Sequence, residues 1–154
     1  MLRQNKHTKS IFELAHETYG KVIQFIQKEF KQHSVLQLNI LKSAPYAIAQ
    51  GLHYDFDLLN KATFNYPMSL IIPLHEHCNI CTATSFYENN EATEENLVTM
   101  QQLQRVNVNH YILFRGDLLH SGGSNDLPIS HFRLHYYIAQ NKSDIPSNSV
   151  FTYV

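Results

Sequence analysis

Three side chains with metal-binding chemistry follow one another along the chain in an order that favours a shared site. His53 and Asp55 lie two residues apart in the segment QGLHYDF (50–56), and His120 follows a strand-like apolar run. Residues two apart in a strand face the same way, so His53 and Asp55 are predicted to lie on one side. Two histidines and one carboxylate form the ligand set of non-haem Fe(II) oxygenases, which leaves metal positions open for other molecules.

The His-x-acid pair alone is weak evidence for such a site. The chain has 10 histidines and 13 acidic residues in 154 positions, so roughly one such pair is expected by chance. The order of the elements adds specificity, because the pair is followed by a histidine at a strand end and then by Arg133 on the next strand. A planar guanidinium pairs with both oxygens of a carboxylate and stays charged.

The strand predicted over 130–139 alternates between two kinds of side chain. One face carries Arg133 with His131, His135 and Tyr137, and the other carries only apolar or aromatic residues. This pattern predicts that Arg133 faces a pocket and that His135 lines it behind the metal ligands. Tyr136, on the opposite face, and Tyr54 are predicted to be core residues.

These motifs resemble the 2-oxoglutarate/Fe(II)-dependent dioxygenases, and within them the phytanoyl-CoA dioxygenase-like group. The resemblance implies that His53, Asp55 and His120 hold Fe(II), and that Arg133 binds the far carboxylate of the cosubstrate 2-oxoglutarate. Many members carry a serine two residues after the arginine; His135 stands there and becomes the candidate for a second cosubstrate contact. The segments that carry the resemblance are QGLHYDF (50–56), SLIIPL (69–74), ILFRGDLLHSGG (112–123) and HFRLHYYI (131–138).

The implied activity is oxidation of a substrate C–H bond, usually to an alcohol, with release of succinate and CO₂. The resemblance implies no catalytic residue beyond the metal ligands, and a small molecule or a protein side chain as substrate. One alternative is a non-catalytic jelly-roll module that binds a metal or a small acid.

A second alternative is a zinc-stapled interaction domain built on the segment HEHCNIC (75–81), which contains Cys78 and Cys81. Two cysteines at this spacing with nearby histidines are potential zinc ligands. The strands predicted on either side favour a hairpin turn here instead, with strand structure resuming at Ile80 and the cysteines in a structural role.

The hydrophobic pattern predicts one helix followed by short strands. Apolar residues recur at helical spacing over 9–30, and the period then changes. Short strands separated by turn signals indicate a mainly β, double-stranded β-helix (jelly roll, cupin-like) with the N-terminal helix packed on one sheet. Residues 1–154 are predicted to form one domain, with a β core over about 34–139, a short C-terminal tail and an acidic loop or pocket rim at 88–96. Strands are predicted at 34–41, 46–56, 66–74, 80–86, 102–108, 110–115, 117–120, 130–139 and, as an edge strand, 150–154.

Charge and hydropathy exclude or disfavour several classes of partner. The net charge is −1 and lysine and arginine do not cluster, so nucleic acid is not favoured. No apolar run reaches the ~18 residues of a membrane helix, so no membrane partner is expected. The first residues lack the apolar core of a signal peptide, which predicts an intracellular, cytoplasmic location. The sequence does not indicate whether the protein is a monomer or an oligomer.

Overall fold

A computed structural model describes residues 10–56, 66–74, 78–87 and 97–140 of the chain. The acidic segment 88–96, the strand predicted at 150–154, and His75 and His77 of the candidate zinc site lie outside these described residues. The elements in chain order are α1 (Ile11–Glu29), β1 (Ser34–Ser43), β2 (Met68–Pro73), β3 (Cys78–Tyr87), β4 (Leu97–Val106), β5 (Ile112–Arg115), β6 (Leu119–Gly122) and β7 (His131–Ala139). The protein is therefore mainly β, with one N-terminal helix, as predicted.

Helix α1 begins with a capping box. The Ser10 side chain accepts a hydrogen bond from the Glu13 amide (3.2 Å), and the Glu13 carboxylate accepts one from the Ser10 amide (2.6 Å). These two bonds satisfy amide groups that a helix N-terminus leaves unpaired. The buried face of the helix, formed by Ala15, Val22 and Ile26, packs on one sheet. The described residues contain no helix with the length and apolarity that a membrane crossing requires.

Gly20 lies in the exposed middle of α1, and nothing lies within 4 Å of the Cβ that alanine would add there. Alanine loses less backbone entropy than glycine when it enters a helix. We therefore expect Gly20→Ala to raise the free energy of unfolding by about 0.5–1 kcal/mol. Urea unfolding followed by circular dichroism measures this change, and a lower midpoint for the variant would contradict the prediction.

The strands form two antiparallel sheets. The four-stranded sheet has the order β1-β7-β2-β5, and the three-stranded sheet has the order β4-β3-β6. Strand β7 is central in the larger sheet, where it pairs with β1 on one side and β2 on the other. Strands β5 and β6 are neighbours in the sequence but lie in different sheets, so the chain crosses between the layers at that point.

The side chains on the two faces of β7 pack against different parts of the protein. Leu134, Tyr136 and Ile138 pack with residues of β2 against helix α1. Arg133 and His135 alternate with them and point to the other side, where a second apolar cluster includes Ile80, Val106 and Phe114. Tyr136 is fully buried, as predicted, whereas Tyr54 is 57% exposed and the prediction that it is a core residue was wrong.

The regular strand predicted at 46–56 is not formed. Pro45 has no amide proton for a sheet ladder, and Tyr46 follows it in the left-handed region (φ 56°). The segment instead attaches to β6 and the following loop: the Gln50 amide donates to the Gly122 carbonyl (2.9 Å), and His53 forms an isolated bridge with His120. Local pattern therefore predicted an extended segment, but its partners come from distant parts of the chain.

Candidate metal centre

The backbone bridge between His53 and His120 brings two of the three predicted metal ligands together. Each residue donates its amide to the carbonyl of the other, at 2.8 and 3.0 Å, and the ring centroids lie 4.6 Å apart. Asp55 follows two residues after His53, and the ligand atoms of the three residues all lie within 4.8 Å of one another. Asp55 and His120 are buried, while His53 is exposed. The fold thus assembles a His-Asp-His cluster that could hold a metal ion.

Both histidines are oriented by the same local contact. Nδ1 of His53 bonds to the Gly51 carbonyl and Nδ1 of His120 bonds to the Leu118 carbonyl, each at 2.9 Å. A carbonyl oxygen only accepts, so Nδ1 carries the proton in each ring. The neutral ring then has its lone pair on Nε2, which leaves that atom free to bind a metal.

The protonation of the buried ligands also suits metal binding. Burial lowers the pKa of His120, which keeps this imidazole neutral near pH 7. Burial alone would raise the pKa of Asp55, but the hydrogen bond and charge of His135 and the charge of His120 outweigh it and lower the pKa to about 2. A metal ion therefore does not have to displace a proton from either ligand at neutral pH.

The carboxylate of Asp55 is held in place by side chains of the larger sheet. Its Oδ2 atom accepts hydrogen bonds from the Ser69 hydroxyl and from His135 Nε2 (3.1 Å). Burial and a hydrogen bond to Asp55 raise the pKa of Tyr137, so its hydroxyl remains a donor. These contacts fix the orientation of the only acidic member of the cluster.

Acid should destabilise the metal-free protein through Asp55. An acidic side chain whose pKa is lower in the folded state than in the unfolded state stabilises the fold when it is ionised. Its full contribution is present above the unfolded-state pKa and is lost as the pH falls through the folded-state pKa. For Asp55 the ordinary value is 3.8 and the folded value about 2, so the loss falls between these pH values. We expect it to amount to about 2 kcal/mol of unfolding free energy, with a shallower decline in Asp55→Asn. Urea unfolding across this pH range tests the difference, and parallel curves for the two proteins would contradict it.

Arg133 is a buried cation in the same pocket. It is 7% exposed, and its guanidinium donates from Nη1 to the Ser43 hydroxyl (3.2 Å) and from Nη2 to Gln50 Oε1 (3.3 Å). No carboxylate among the described residues pairs with it, and its Nε atom has no hydrogen-bond partner there. A buried charge is costly unless an anion compensates it, so the environment of Arg133 suits an acidic ligand.

One pocket joins this cation to the histidine cluster. Its polar lining includes His53, His120, Arg133 and His135. Leu41, Ile71 and Ile80 supply an apolar lining. His135, expected as a second cosubstrate contact, uses Nε2 to bond to Asp55, so in this structure it orients a candidate metal ligand.

The two cysteines of the candidate zinc site belong to strand β3. The strand begins at Cys78, two residues before the predicted start, so Cys78 and Cys81 do not lie in a turn. Side chains three apart in a strand point to opposite faces, and β3 therefore does not present both sulfur atoms to one ion. Cys78 is buried, and burial raises the pKa of its thiol, which disfavours the thiolate that zinc requires.

Two polar residues of the site were missed by the sequence interpretation. Ser69 is fully buried and bonds to Asp55, and Gln50 bonds to Arg133. Ser69 is the polar residue at the start of the otherwise apolar run SLIIPL. Its position was a signal of a polar contact in the site, because a buried hydroxyl needs a hydrogen-bond partner. For Gln50 the sequence offers no signal beyond its place at the start of QGLHYDF.

The chain is similar to known proteins in its structure, whereas the comparisons by sequence found no match. No protein-family model matches the chain, and no curated protein matches it. Among solved structures, SnoK, a non-heme alpha ketoglutarate dependent carbocyclase from nogalamycin biosynthesis, is similar with a TM-score of 0.51 and 12% identity over 68% of this chain. An oxidoreductase of the 2OG-Fe(II) oxygenase family from Burkholderia pseudomallei has a TM-score of 0.53 and 12% identity over 84% of the chain.

SnoN, an epimerase of the same cofactor class and pathway as SnoK, has a TM-score of 0.55 and 10% identity, and the match covers 93% of this chain and 70% of SnoN. The chain spans only about half of the other two proteins, 50% of SnoK and 56% of the Burkholderia enzyme. At these identities the similarity concerns the fold. The structural neighbours of this chain thus include non-heme, 2-oxoglutarate-dependent enzymes.

Proposed function

We propose that this chain is an Fe(II)- and 2-oxoglutarate-dependent oxygenase built on a double-stranded β-helix that forms a single domain over 1–154. A jelly roll has eight strands in two sheets. Seven strands are present in the described residues, and the isolated bridge between His53 and His120 pairs the segment around His53 with β6, which supports this proposal. Within the superfamily, the four resembling segments favour the phytanoyl-CoA dioxygenase-like group.

The observation that carries the proposal is a His-Asp-His cluster and a buried arginine without a carboxylate partner among the described residues, both at one pocket. The donor set fits Fe(II), because two neutral imidazoles and one carboxylate are the ligands that non-haem iron oxygenases use. Arg133 fits 2-oxoglutarate, because a guanidinium binds a carboxylate through two parallel hydrogen bonds. When bound, iron and 2-oxoglutarate would supply the oxidising chemistry with dioxygen as the oxidant: one oxygen atom would enter succinate as 2-oxoglutarate loses CO₂, and the other would enter the substrate.

The residues of this chain then have distinct roles. His53, Asp55 and His120 hold the metal, and Arg133 binds the far carboxylate of the cosubstrate. Ser69 and His135 keep the Asp55 carboxylate in one orientation. Leu41, Ile71 and Ile80 line the pocket beside these groups, and an apolar surrounding strengthens electrostatic contacts.

The outcome that we propose is hydroxylation of an unactivated C–H bond in a small molecule or a protein side chain. SnoK is a carbocyclase and SnoN an epimerase, so enzymes of similar fold and the same cofactor class catalyse other outcomes as well.

Turnover of the cosubstrate tests the function without knowledge of the prime substrate. The protein is purified without oxygen, loaded with Fe(II) and 2-oxoglutarate, and exposed to air, and succinate is measured by mass spectrometry. We expect one Fe(II) per chain and succinate above the level of a metal-free sample. Binding of metal and 2-oxoglutarate without succinate would favour a non-catalytic module, and failure to bind either would reject the proposal.

A further inference from the structure

Gln50 forms hydrogen bonds to strand β6 with both its backbone and its side chain. Its amide donates to the Gly122 carbonyl (2.9 Å), and its side-chain oxygen accepts from the Gly122 amide (3.1 Å). A Cβ at position 122 would overlap the guanidinium of Arg133 and the Gln50 side-chain oxygen. Glycine at this position therefore makes room for the contact between Arg133 and Gln50.

The orientation of the Gln50 carboxamide follows from its neighbours. Its oxygen faces the Gly122 amide (3.1 Å) and Nη2 of Arg133 (3.3 Å). Both groups are donors only, so the oxygen must face them and the Nε2 amino group must lie on the other side of the carboxamide. That amino group has two protons and makes no hydrogen bond to a described residue, and Gln50 lines the pocket.

The position that would hold an anion is therefore flanked by more than one donor. Arg133 is more than nine-tenths buried, with one arm on Ser43, the other on Gln50, and Nε unpaired among the described residues. A carboxylate has two oxygens that together accept about four hydrogen bonds, more than one guanidinium edge supplies. The amino group of Gln50 is a donor beside Arg133 in the lining of this pocket.

We infer that Gln50 is a second binding residue for the far carboxylate of 2-oxoglutarate, an inference that rests on the proposed function. Its oxygen holds the guanidinium of Arg133 in place, and its amino group donates to the carboxylate. In many members of the resembled family a serine stands two residues after the arginine. Here that position is His135, whose Nε2 is used by Asp55, and Gln50 supplies the contact from a different segment.

The test substitution is Gln50→Glu, which keeps the shape of the side chain. A glutamate at this position still accepts from Gly122 and Arg133, but it has no amino group. Because its charge also neutralises Arg133, the uncharged variant Gln50→Met, which lacks the amino group as well, is measured beside it. Ligand affinity is measured by calorimetry on protein loaded with Zn(II) in place of Fe(II), so that no oxidation occurs. The two ligands are 2-oxoglutarate and 2-oxohexanoate, which share the metal-chelating end and differ in the charge of the far end.

We expect Gln50→Glu and Gln50→Met each to weaken 2-oxoglutarate binding by about tenfold to a hundredfold, the range for a lost charge-assisted hydrogen bond. Binding of 2-oxohexanoate should change by less than about threefold, because its far end makes no ionic contact. The matched control is Gln102→Glu, an exposed glutamine on β4, which should leave both affinities unchanged.

Each possible result decides the inference. Unchanged 2-oxoglutarate affinity in Gln50→Met would overturn it, because a loss confined to Gln50→Glu follows from neutralisation of Arg133 alone. An equal loss for both ligands would overturn it as well, because that result marks a general disturbance of the pocket. In both cases tight 2-oxoglutarate binding by the wild type would leave the proposed function intact. A wild type that binds neither ligand would reject the function and the inference together.

Discussion

Asp55→Ala should lose metal binding almost completely, with an affinity at least about a hundredfold below that of the wild type. Changes to residues that merely support a ligand already cost tenfold to a hundredfold, and Asp55 is itself the only acidic member of the cluster. The substitution also removes the acceptor for His135 and Ser69. Equilibrium dialysis against Fe(II) under anaerobic conditions, followed by metal analysis, measures the affinity.

The matched control is Asp117→Ala. The Asp117 side chain is more exposed than that of Asp55 and forms an ion pair with Arg115. Surface ion pairs of this kind contribute little to stability. This variant should bind metal as the wild type does. If Asp55→Ala retained affinity within about threefold of the control, the cluster would not be the metal site, because a lost ligand costs more than that.

Arg133→Ala should weaken 2-oxoglutarate binding about tenfold to a hundredfold while metal affinity stays unchanged. A charge-assisted hydrogen bond contributes roughly 1.5–3 kcal/mol, which corresponds to this range. Arg133→Lys should recover only part of the loss, because an ammonium group keeps the charge but lacks the planar pair of donors. Calorimetric titration of 2-oxoglutarate into Zn(II)-loaded protein measures each affinity.

Arg105→Ala is the control for a lost arginine, since Arg105 is an exposed residue of β4. Its affinity for 2-oxoglutarate should equal that of the wild type. Equal affinities for wild type and Arg133→Ala would show that another residue binds the far carboxylate. Thermal unfolding of both variants separates loss of binding from loss of fold.

Much of the fold follows from local sequence pattern. The helix predicted over 9–30 is found at Ile11–Glu29, because its apolar residues recur at helical spacing. The alternation in 130–139 reappears as strand β7, with Leu134 and Arg133 on opposite faces. Both signals depend only on residues close together in the chain.

Features set by distant contacts were not predictable in the same way. The pattern at 46–56 resembles a strand, yet its hydrogen-bonding partners come from residues 120–127, and no local signal identifies them. The sheet to which each strand belongs depends on equally distant pairing. The contact between Gln50 and Arg133 joins residues separated by 83 positions, and its existence depends on the absence of a side chain at Gly122.

The bridge between His53 and His120 has a consequence for the kinetics of the site. His53 and Asp55 lie on an irregular segment, whereas His120 and Arg133 lie on regular strands. A segment attached by few backbone bonds opens by local unfolding more readily than the sheets do. A bound metal would link that segment to β6 and favour the closed state by mass action. We therefore expect the amide of His53 to exchange its hydrogen with solvent sooner than that of Leu134, and metal release to follow the opening of this segment.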